Sequence, residues 1–406
     1  MDHLTTEEPV PMSYLPHQIE TSDKVAEVIR DKGICLLQGE MRTGKTRTAL
    51  RTLDLLGAKR PLIVTKKAAI KGWWQELDAV RFSLGDGLVT NYEQCAKLSA
   101  DAFDFVVVDE SHAISRPGKP TQRLKHLARI ARDKPVLLMT GTPTSESLLQ
   151  LYYQFALSWQ SPLRFKNFYE FFRRWGVPSQ IRINGRWVET YKQARPELLD
   201  HVSPWIVTLT QEQAGITHKA VDQVHTVELD AATKALIGTI QRDKVANLAN
   251  YTFAAESDMA ERVAIHQIEA GAVLLEDTLI DLPNTEIIDY ITQTWGDTEG
   301  LALMAHFRST RMKLAKHFPK ASIFSSVAHA EGVSLAHFDH FVIVNSDYSG
   351  AKFVQRRDRG VNLNKRTDAI VHHIVTDGGV SKHVYNAVSK KLDFTLQSYR
   401  RLKNAV

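Results

Sequence analysis

The stretch Ile34-Cys-Leu-Leu-Gln-Gly39-Glu-Met-Arg-Thr-Gly44-Lys45-Thr46 constrains this chain more than any other. An apolar run suited to a buried strand meets Gly-x-x-x-x-Gly-Lys-Thr, and Arg47-Thr-Ala-Leu-Arg-Thr-Leu-Asp-Leu-Leu56 follows with helical spacing. Strand, glycine loop and helix in that order form the setting that a phosphate-binding loop needs. The glycines let successive N–H groups turn toward one anion, and the helix N-terminus adds its positive end. In this reading Gly39, Met41, Arg42, Thr43 and Gly44 cradle ATP. Lys45 reaches the outer phosphates and the Thr46 hydroxyl holds Mg²⁺. The bare pattern also arises by accident; the strand before it and the helix after it argue against that.

A second signal follows in Phe105-Val-Val-Val-Asp109-Glu110-Ser111-His112, an apolar strand that delivers two adjacent carboxylates at its end. Open α/β sheets bind ligands at that edge. Asp109 suits Mg²⁺ coordination, and Glu110 suits orienting and deprotonating an attacking water. The alternative is a strand that ends in a solvated acidic turn. Pro61–Thr65, Gly87–Tyr92 and Pro135-Val-Leu-Leu-Met-Thr140-Gly141-Thr142-Pro143 read as further strands. The alternation predicts an α/β fold with a parallel sheet whose working edge carries Lys45, Asp109 and Thr140–Thr142. Upstream, Gln18 has an amide that could read an adenine edge, as could that of any surface glutamine.

At 406 residues there is room for two domains, each with a core of its own. No apolar run approaches the length of a membrane span, and the polar, acidic start Met1-Asp-His-Leu-Thr-Thr-Glu-Glu predicts no signal peptide. Cys35 and Cys95 are the only cysteines, which fits a reducing, cytoplasmic compartment and makes neither a disulfide framework nor a zinc module. The net charge is only +5, but it is unevenly spread. Arg164–Arg195 holds eight Lys and Arg against Glu170 and Glu189, whereas 263–307 has eight Asp and Glu and no Lys or Arg. A polyanion would be attracted to the first segment and repelled by the second.

Within the basic segment, Phe165, Phe168, Phe172 and Trp175 recur near helical spacing, with Arg173 and Arg174 among them. Such aromatics can stack on bases. The plainer reading makes them helix core with a solvated arginine face, and that reading is preferred. Ile181-Arg-Ile-Asn184-Gly185-Arg-Trp-Val predicts a β-hairpin. His266 reads as a helix-face residue, since no second histidine or cysteine stands at metal spacing.

Taken together, Leu15-Pro-His-Gln18, Gly39–Thr46, Thr65-Lys66 with Trp73-Trp74-x-Glu76, Thr90-Asn91-Tyr92, Asp109-Glu110-Ser111-His112 and Thr140-Gly141-Thr142-Pro143 resemble helicase superfamily two. Within it the chain is similar to the Swi/Snf-type translocases, in a compact form like that of bacteriophage members. The resemblance implies two RecA-like parallel-sheet lobes with a helical protrusion, and ATP in the cleft between the lobes. The first lobe is expected over 1–205, with the protrusion at about 148–200, and the second over 206–406. Thr65, Lys66, Thr90, Tyr92 and Thr142 are then expected near nucleic acid, with Thr140 and Thr142 coupling it to the nucleotide. Ala330-Glu331-Gly332-Val-Ser334-Leu335 resembles the family's second-lobe loop, which places Ser334 on nucleic acid as well. Phe353-Val-Gln355-Arg356-Arg357-Asp358-Arg359-Gly360 resembles its arginine-finger helix, with Arg359 and Arg356 as the catalytic arginines. Asn362 stands where a second arginine is expected by one alignment, and Glu146 where an Asn usually follows Thr-Gly-Thr-Pro.

The resemblance implies an ATP- and Mg²⁺-dependent DNA helicase or translocase, acting as a monomer on duplex or branched DNA, with no membrane, in the cytoplasm of a bacterium or a phage-infected host. Two alternatives stay open. One is an ATP-switched DNA-binding module with little turnover; the other is an RNA-dependent ATPase of the same superfamily.

Overall fold

The computed structural model describes residues 14–144, 147–183, 186–248, 251–275, 277–326, 338–346, 353, 357 and 368–390, and the chain divides into two units between Gly215 and Ile216. In the first unit the elements run α1 (Pro16–Lys32), β1 (Ile34–Gly39), α2 (Lys45–Leu55), β2 (Pro61–Thr65), α3 (Ile70–Ala79), β3 (Leu88–Asn91), β4 (Phe105–Asp109), α4 (Gln122–Ala131) and β5 (Val136–Thr140). Then come α5 (Leu151–Phe155), α6 (Phe168–Trp175), the hairpin β6 (Gly176–Ile183) and β7 (Arg186–Ala194), α7 (Glu197–Val202) and β8 (Ile206–Leu209). Six of the strands form one parallel sheet in the order β3-β2-β4-β5-β1-β8.

Continuous apolar strands suit a sheet covered on both faces. Alternate residues serve the two sides. Ile34, Leu36, Val64, Val106, Val108 and Leu138 pack with α4–α7, and Cys35, Leu37, Ile63, Val107, Leu137 and Met139 pack with α1–α3. Both cysteines are buried, and burial raises the thiol pKa of each, that of Cys95 to about 11. Pro16 opens α1, and Gly33, at φ +68°, closes it by donating its N–H to the Ile29 carbonyl. The passage between units lies at Gly215–Ile216 rather than at 205/206, because β8 adds to the first sheet in register with β1, from Leu36↔Ile206 to Gly39↔Leu209. Residues 148–202 are not helices alone. Their aromatics Phe168, Phe171, Phe172 and Trp175 are buried with Tyr152 and Tyr153, while Arg173 and Arg174 stay exposed, as the plainer reading expected.

The second unit holds β9 (Ala220–Val227), α8 (Ala231–Asp243), β10 (Val245–Leu248), β11 (Tyr251–Ala254), α9 (Asp258–Glu269), β12 (Ala272–Leu275), β13 (Thr278–Asp281), α10 (Glu286–Thr294), β14 (Leu301–Ala305), α11 (Arg308–His317), β15 (Ser322–Ser325), β16 (His340–Asn345) and β17 (Ala369–Thr376). Its parallel sheet runs β15-β14-β16-β17-β9. Two antiparallel hairpins, β10–β11 and β12–β13, flank α9. Lys313 on α11 pins the second hairpin: its ammonium is buried and donates to the carbonyls of Gly271, Leu282 and Asn284 at 2.8, 2.8 and 2.9 Å, with Asp281 at 3.2 Å. The chain is thus α/β with two parallel sheets, the architecture expected of RecA-like lobes. No helix among the described residues is long and apolar enough to cross a membrane.

Candidate nucleotide site

The glycine loop leaves the carboxyl end of β1 and enters α2. Gly44 sits at φ +80°, ahead of the first helical residue Lys45, and Arg42 is also left-handed, at φ +62°. A Cβ on Gly44 would lie 2.2 Å from Gln18 Nε2, so glycine is required there for space as well as for conformation. The Gln18 side chain is buried against the loop and accepts the Leu15 N–H at 3.0 Å. His17 Nε2 lies 3.0 Å from the Thr43 carbonyl, and Thr43 Oγ1 donates to the Glu40 carbonyl at 2.9 Å. Lys45 Nζ donates to the Gly39 and Glu40 carbonyls, each at 2.9 Å. Beyond the sheet, the Gln211 N–H donates to Glu40 Oε2 at 2.5 Å and its amide to the Met41 carbonyl at 3.1 Å. The loop is held from both flanks, with backbone N–H groups left to face an anion at the helix start.

β4 brings Asp109 and Glu110 to the same sheet edge. The register sets Gln38 beside Thr140 and Asp109 beside Met139, so β5 lies between the glycine loop and the carboxylates. A Cβ on Gly141 would meet the Gly39 carbonyl at 3.2 Å, which shows how closely the turn after β5 approaches the loop. Asp109 is fixed by three donors: Thr65 Oγ1 at 2.8 Å and Trp73 Nε1 at 3.0 Å on Oδ2, and the Glu110 N–H at 3.0 Å on Oδ1. Burial, and then the neighbouring Glu110 charge, raise its pKa; Trp73, Thr65 and Lys45 pull it down. Two adjacent carboxylates in low dielectric call for a cation, and this donor set fits Mg²⁺. Glu110 is left-handed, at φ +52°, an uncommon conformation for this residue type. Its Oε2 is 3.3 Å from His112 Nδ1, which lies 2.8 Å from Thr140 Oγ1, and Thr140 Oγ1 accepts the Thr142 N–H at 3.1 Å. A chain of polar contacts therefore joins the ends of β4 and β5.

The residues expected on nucleic acid divide. Lys66 keeps exposure at the end of β2, whereas Thr65, Thr90, Tyr92 and Thr142 are buried. Thr65 donates its hydroxyl to Asp109 and Tyr92 its phenol to the Asp109 carbonyl, so both brace the carboxylate strand. Arg356, Arg359 and Ser334 lie outside the described residues, as do Glu146 and Asn362. Trp73, His112, Glu40 and Gln211 hold the site although the residues alone gave them no role in it. Arg47 on α2 meets Glu76 on α3 at 2.5 Å, tying the helix after the loop to the Trp73 helix.

No family model matches the chain. Two curated proteins of the same name are similar to it, both called SWI/SNF-related matrix-associated actin-dependent regulator of chromatin subfamily A-like protein 1. The Drosophila melanogaster protein is 30% identical over 176 residues, which is 38% of this chain and 23% of that protein. The Xenopus tropicalis protein is 21% identical over 416 residues, 91% of this chain and 43% of that one. The chain thus spans less than half the length of the curated relatives it matches. Both are animal proteins and do not bear on a bacteriophage form. Among solved structures, a Sulfolobus solfataricus SWI2/SNF2 ATPase core in complex with dsDNA aligns over 98% of this chain and 96% of its own, at 16% identity and TM-score 0.44. The same organism's SWI2/SNF2 ATPase core domain aligns over 95% and 90%, at 15% identity and TM-score 0.44. By its motifs and its likeness to these two curated proteins, the chain resembles the Swi/Snf-type members of helicase superfamily two.

Proposed function

We propose that this chain hydrolyses ATP to drive movement on DNA. The observation that carries the reading is the convergence of Lys45, at the glycine loop, with Asp109 and Glu110 at the same edge of one parallel sheet. A chain that only held a nucleotide would not need a second carboxylate beside the first, kept in a left-handed backbone. Glu110 takes a proton from water as the water oxygen bonds to the γ-phosphorus and ADP departs. Lys45 and the loop N–H groups stabilise the charge on the phosphoryl oxygens. Thr46 and Asp109 would hold Mg²⁺, which when bound neutralises charge on the phosphate oxygens. The Gln18 side chain touches the loop and serves the nucleotide end of the site. Arg359, with Arg356 near it in sequence, is proposed to supply the guanidinium of phosphoryl transfer.

The relatives are named as regulators of chromatin, which favours duplex DNA as the track. Steady-state ATP turnover without nucleic acid, and with single-stranded, duplex and forked DNA and RNA, tests both parts, with Lys45→Ala as the blank. Duplex or forked DNA is expected to stimulate most, and the stimulation should weaken steeply with salt because phosphate contacts dominate affinity. Glu110→Gln should lower turnover by about 10²–10⁴-fold while nucleotide binding persists. Stimulation by RNA alone would reject the DNA assignment, and unchanged turnover in Glu110→Gln would reject the hydrolytic role.

A further inference from the structure

At the opposite edge of the first sheet, where the strands begin, lies a cleft of about 500 Å³ lined by Trp175, Trp205, His201, Arg164, Arg174 and Gln160, among others. Gln160 marks its place in the fold. Its Oε1 stands 1.3 Å from where a Cβ of Gly33 would be, just before β1. Trp205 immediately precedes β8. Gly39 stands six strand steps beyond Gly33, so the cleft is about 20 Å from the glycine loop and shares no residue with it.

The lining contains two arginines and a histidine and no carboxylate. Arg174 lies over the Trp175 ring at 4.7 Å, and Arg164 donates its Nε–H to the Ser161 carbonyl at 3.3 Å. Among the described residues neither guanidinium has an acidic partner, although both are exposed. The His201 ring leans on Trp175 at 5.2 Å, and Lys32 sits over Trp205 at 5.4 Å. Each indole buries an Nε1 donor that has no acceptor among the described residues. Flat rings that already stack with planar or cationic groups, two guanidiniums without an acidic partner among the described residues, and a volume in the range of small-ligand pockets together describe a planar, anionic ligand.

We propose that this cleft binds one unpaired nucleotide: the base lies against Trp175 and Trp205 and the phosphate is held by Arg164 and Arg174. As the base takes the Trp175 face, the Arg174 guanidinium is released to the phosphate. The nucleotide belongs either to a free mononucleotide or to an unpaired strand, and the chemistry of the cleft is the same for both. It neither uses nor requires the ATP site.

The test uses the full chain carrying Lys45→Ala, which removes the first phosphate site. The probes are 5-iodo-dUMP and a short oligothymidylate bearing one 5-iododeoxyuridine, irradiated and mapped by peptide mass spectrometry. An adduct is expected on Trp175 or Trp205. Arg164→Ala with Arg174→Ala should abolish it and weaken oligonucleotide affinity by about tenfold or more. Both arginines are exposed, so the double variant should keep the wild-type Tm and, with Lys45 intact, the basal ATP turnover. An adduct with the mononucleotide assigns a free nucleotide, and an adduct with the oligomer alone assigns a strand. Adducts only outside the cleft, or affinity unchanged in the double variant, overturn the proposal. Because the readout is free of ATP hydrolysis, it stands or falls separately from the motor reading.

Discussion

Trp73 positions Asp109 from α3, a helix outside the glycine loop. Its indole N–H shares Asp109 Oδ2 with the Thr65 hydroxyl, and both contacts lower a carboxyl pKa that burial raises. Trp73→Phe keeps the ring in the core and removes one donor, so the Asp109 pKa should rise further. The acid limb of the pH–rate profile for ATP turnover should then move to higher pH. An unmoved limb would show that Asp109 does not titrate in that step. Gly44→Ala is expected to fail at the loop: the left-handed φ costs about 1–2 kcal/mol and the added methyl meets Gln18. Nucleotide affinity by isothermal titration should fall by more than about tenfold, and Gln18→Ala added to it should recover only the steric part. Lys45, Asp109 and Glu110 were legible in sequence because a motif fixes them through adjacent backbone. Trp73 and Gln211 were not, since their partners stand 36 and 171 positions away and only the fold brings them together.

At the scale of elements, the parallel strands were readable because apolar runs flanked by turn residues belong to sheets covered on both faces. The second sheet follows the same rule in β14, β16 and β17, whose apolar runs are buried. The hairpins β10–β11 and β12–β13 went unseen: strands of four residues are too short for a period to show. The second of them depends on Lys313. Lys313→Met matches the stem but leaves three buried carbonyls without their donor, so the loss should be on the order of 3 kcal/mol. Urea denaturation followed by circular dichroism should show a transition at lower denaturant than in the wild-type chain. The β6–β7 hairpin carries an opposite signature. Trp187 is 67% exposed and Arg182 stands across from it, while Thr190 nearer the base is buried. Its outer half gains little from the core, so Trp187→Ala should leave the unfolding free energy within about 0.5 kcal/mol of wild type, measured by urea denaturation.

For the molecule as a whole, the histidines make the second unit sensitive to acid. Burial holds His266 down to about 3 and His372 to about 4, and it lowers His225, whose Nε2 lies 2.9 Å from His372 Nδ1. In the unfolded chain each would titrate near its ordinary value of about 6.5. Unfolding therefore takes up protons below that pH. The stability these neutral rings contribute is fully present above about pH 6.5 and is lost as pH falls toward their folded values. Each contributes a slope of up to about 1.4 kcal/mol per pH unit. Unfolding midpoints measured from pH 7.5 to 5 should fall, and His266→Phe should remove about one proton's share of the slope.

The two cysteines give a last consequence. Both lie in the first unit, fully buried, with their thiols pushed toward the protonated form. A maleimide or a disulfide reagent should find nothing to react with until that unit opens, because the thiolate is the reactive species. The rate of thiol labelling is thus a clock for one unit and is silent about the other. A cysteine placed at Trp187, on the exposed hairpin, would label at once and carry a dye without any native cysteine having to be removed.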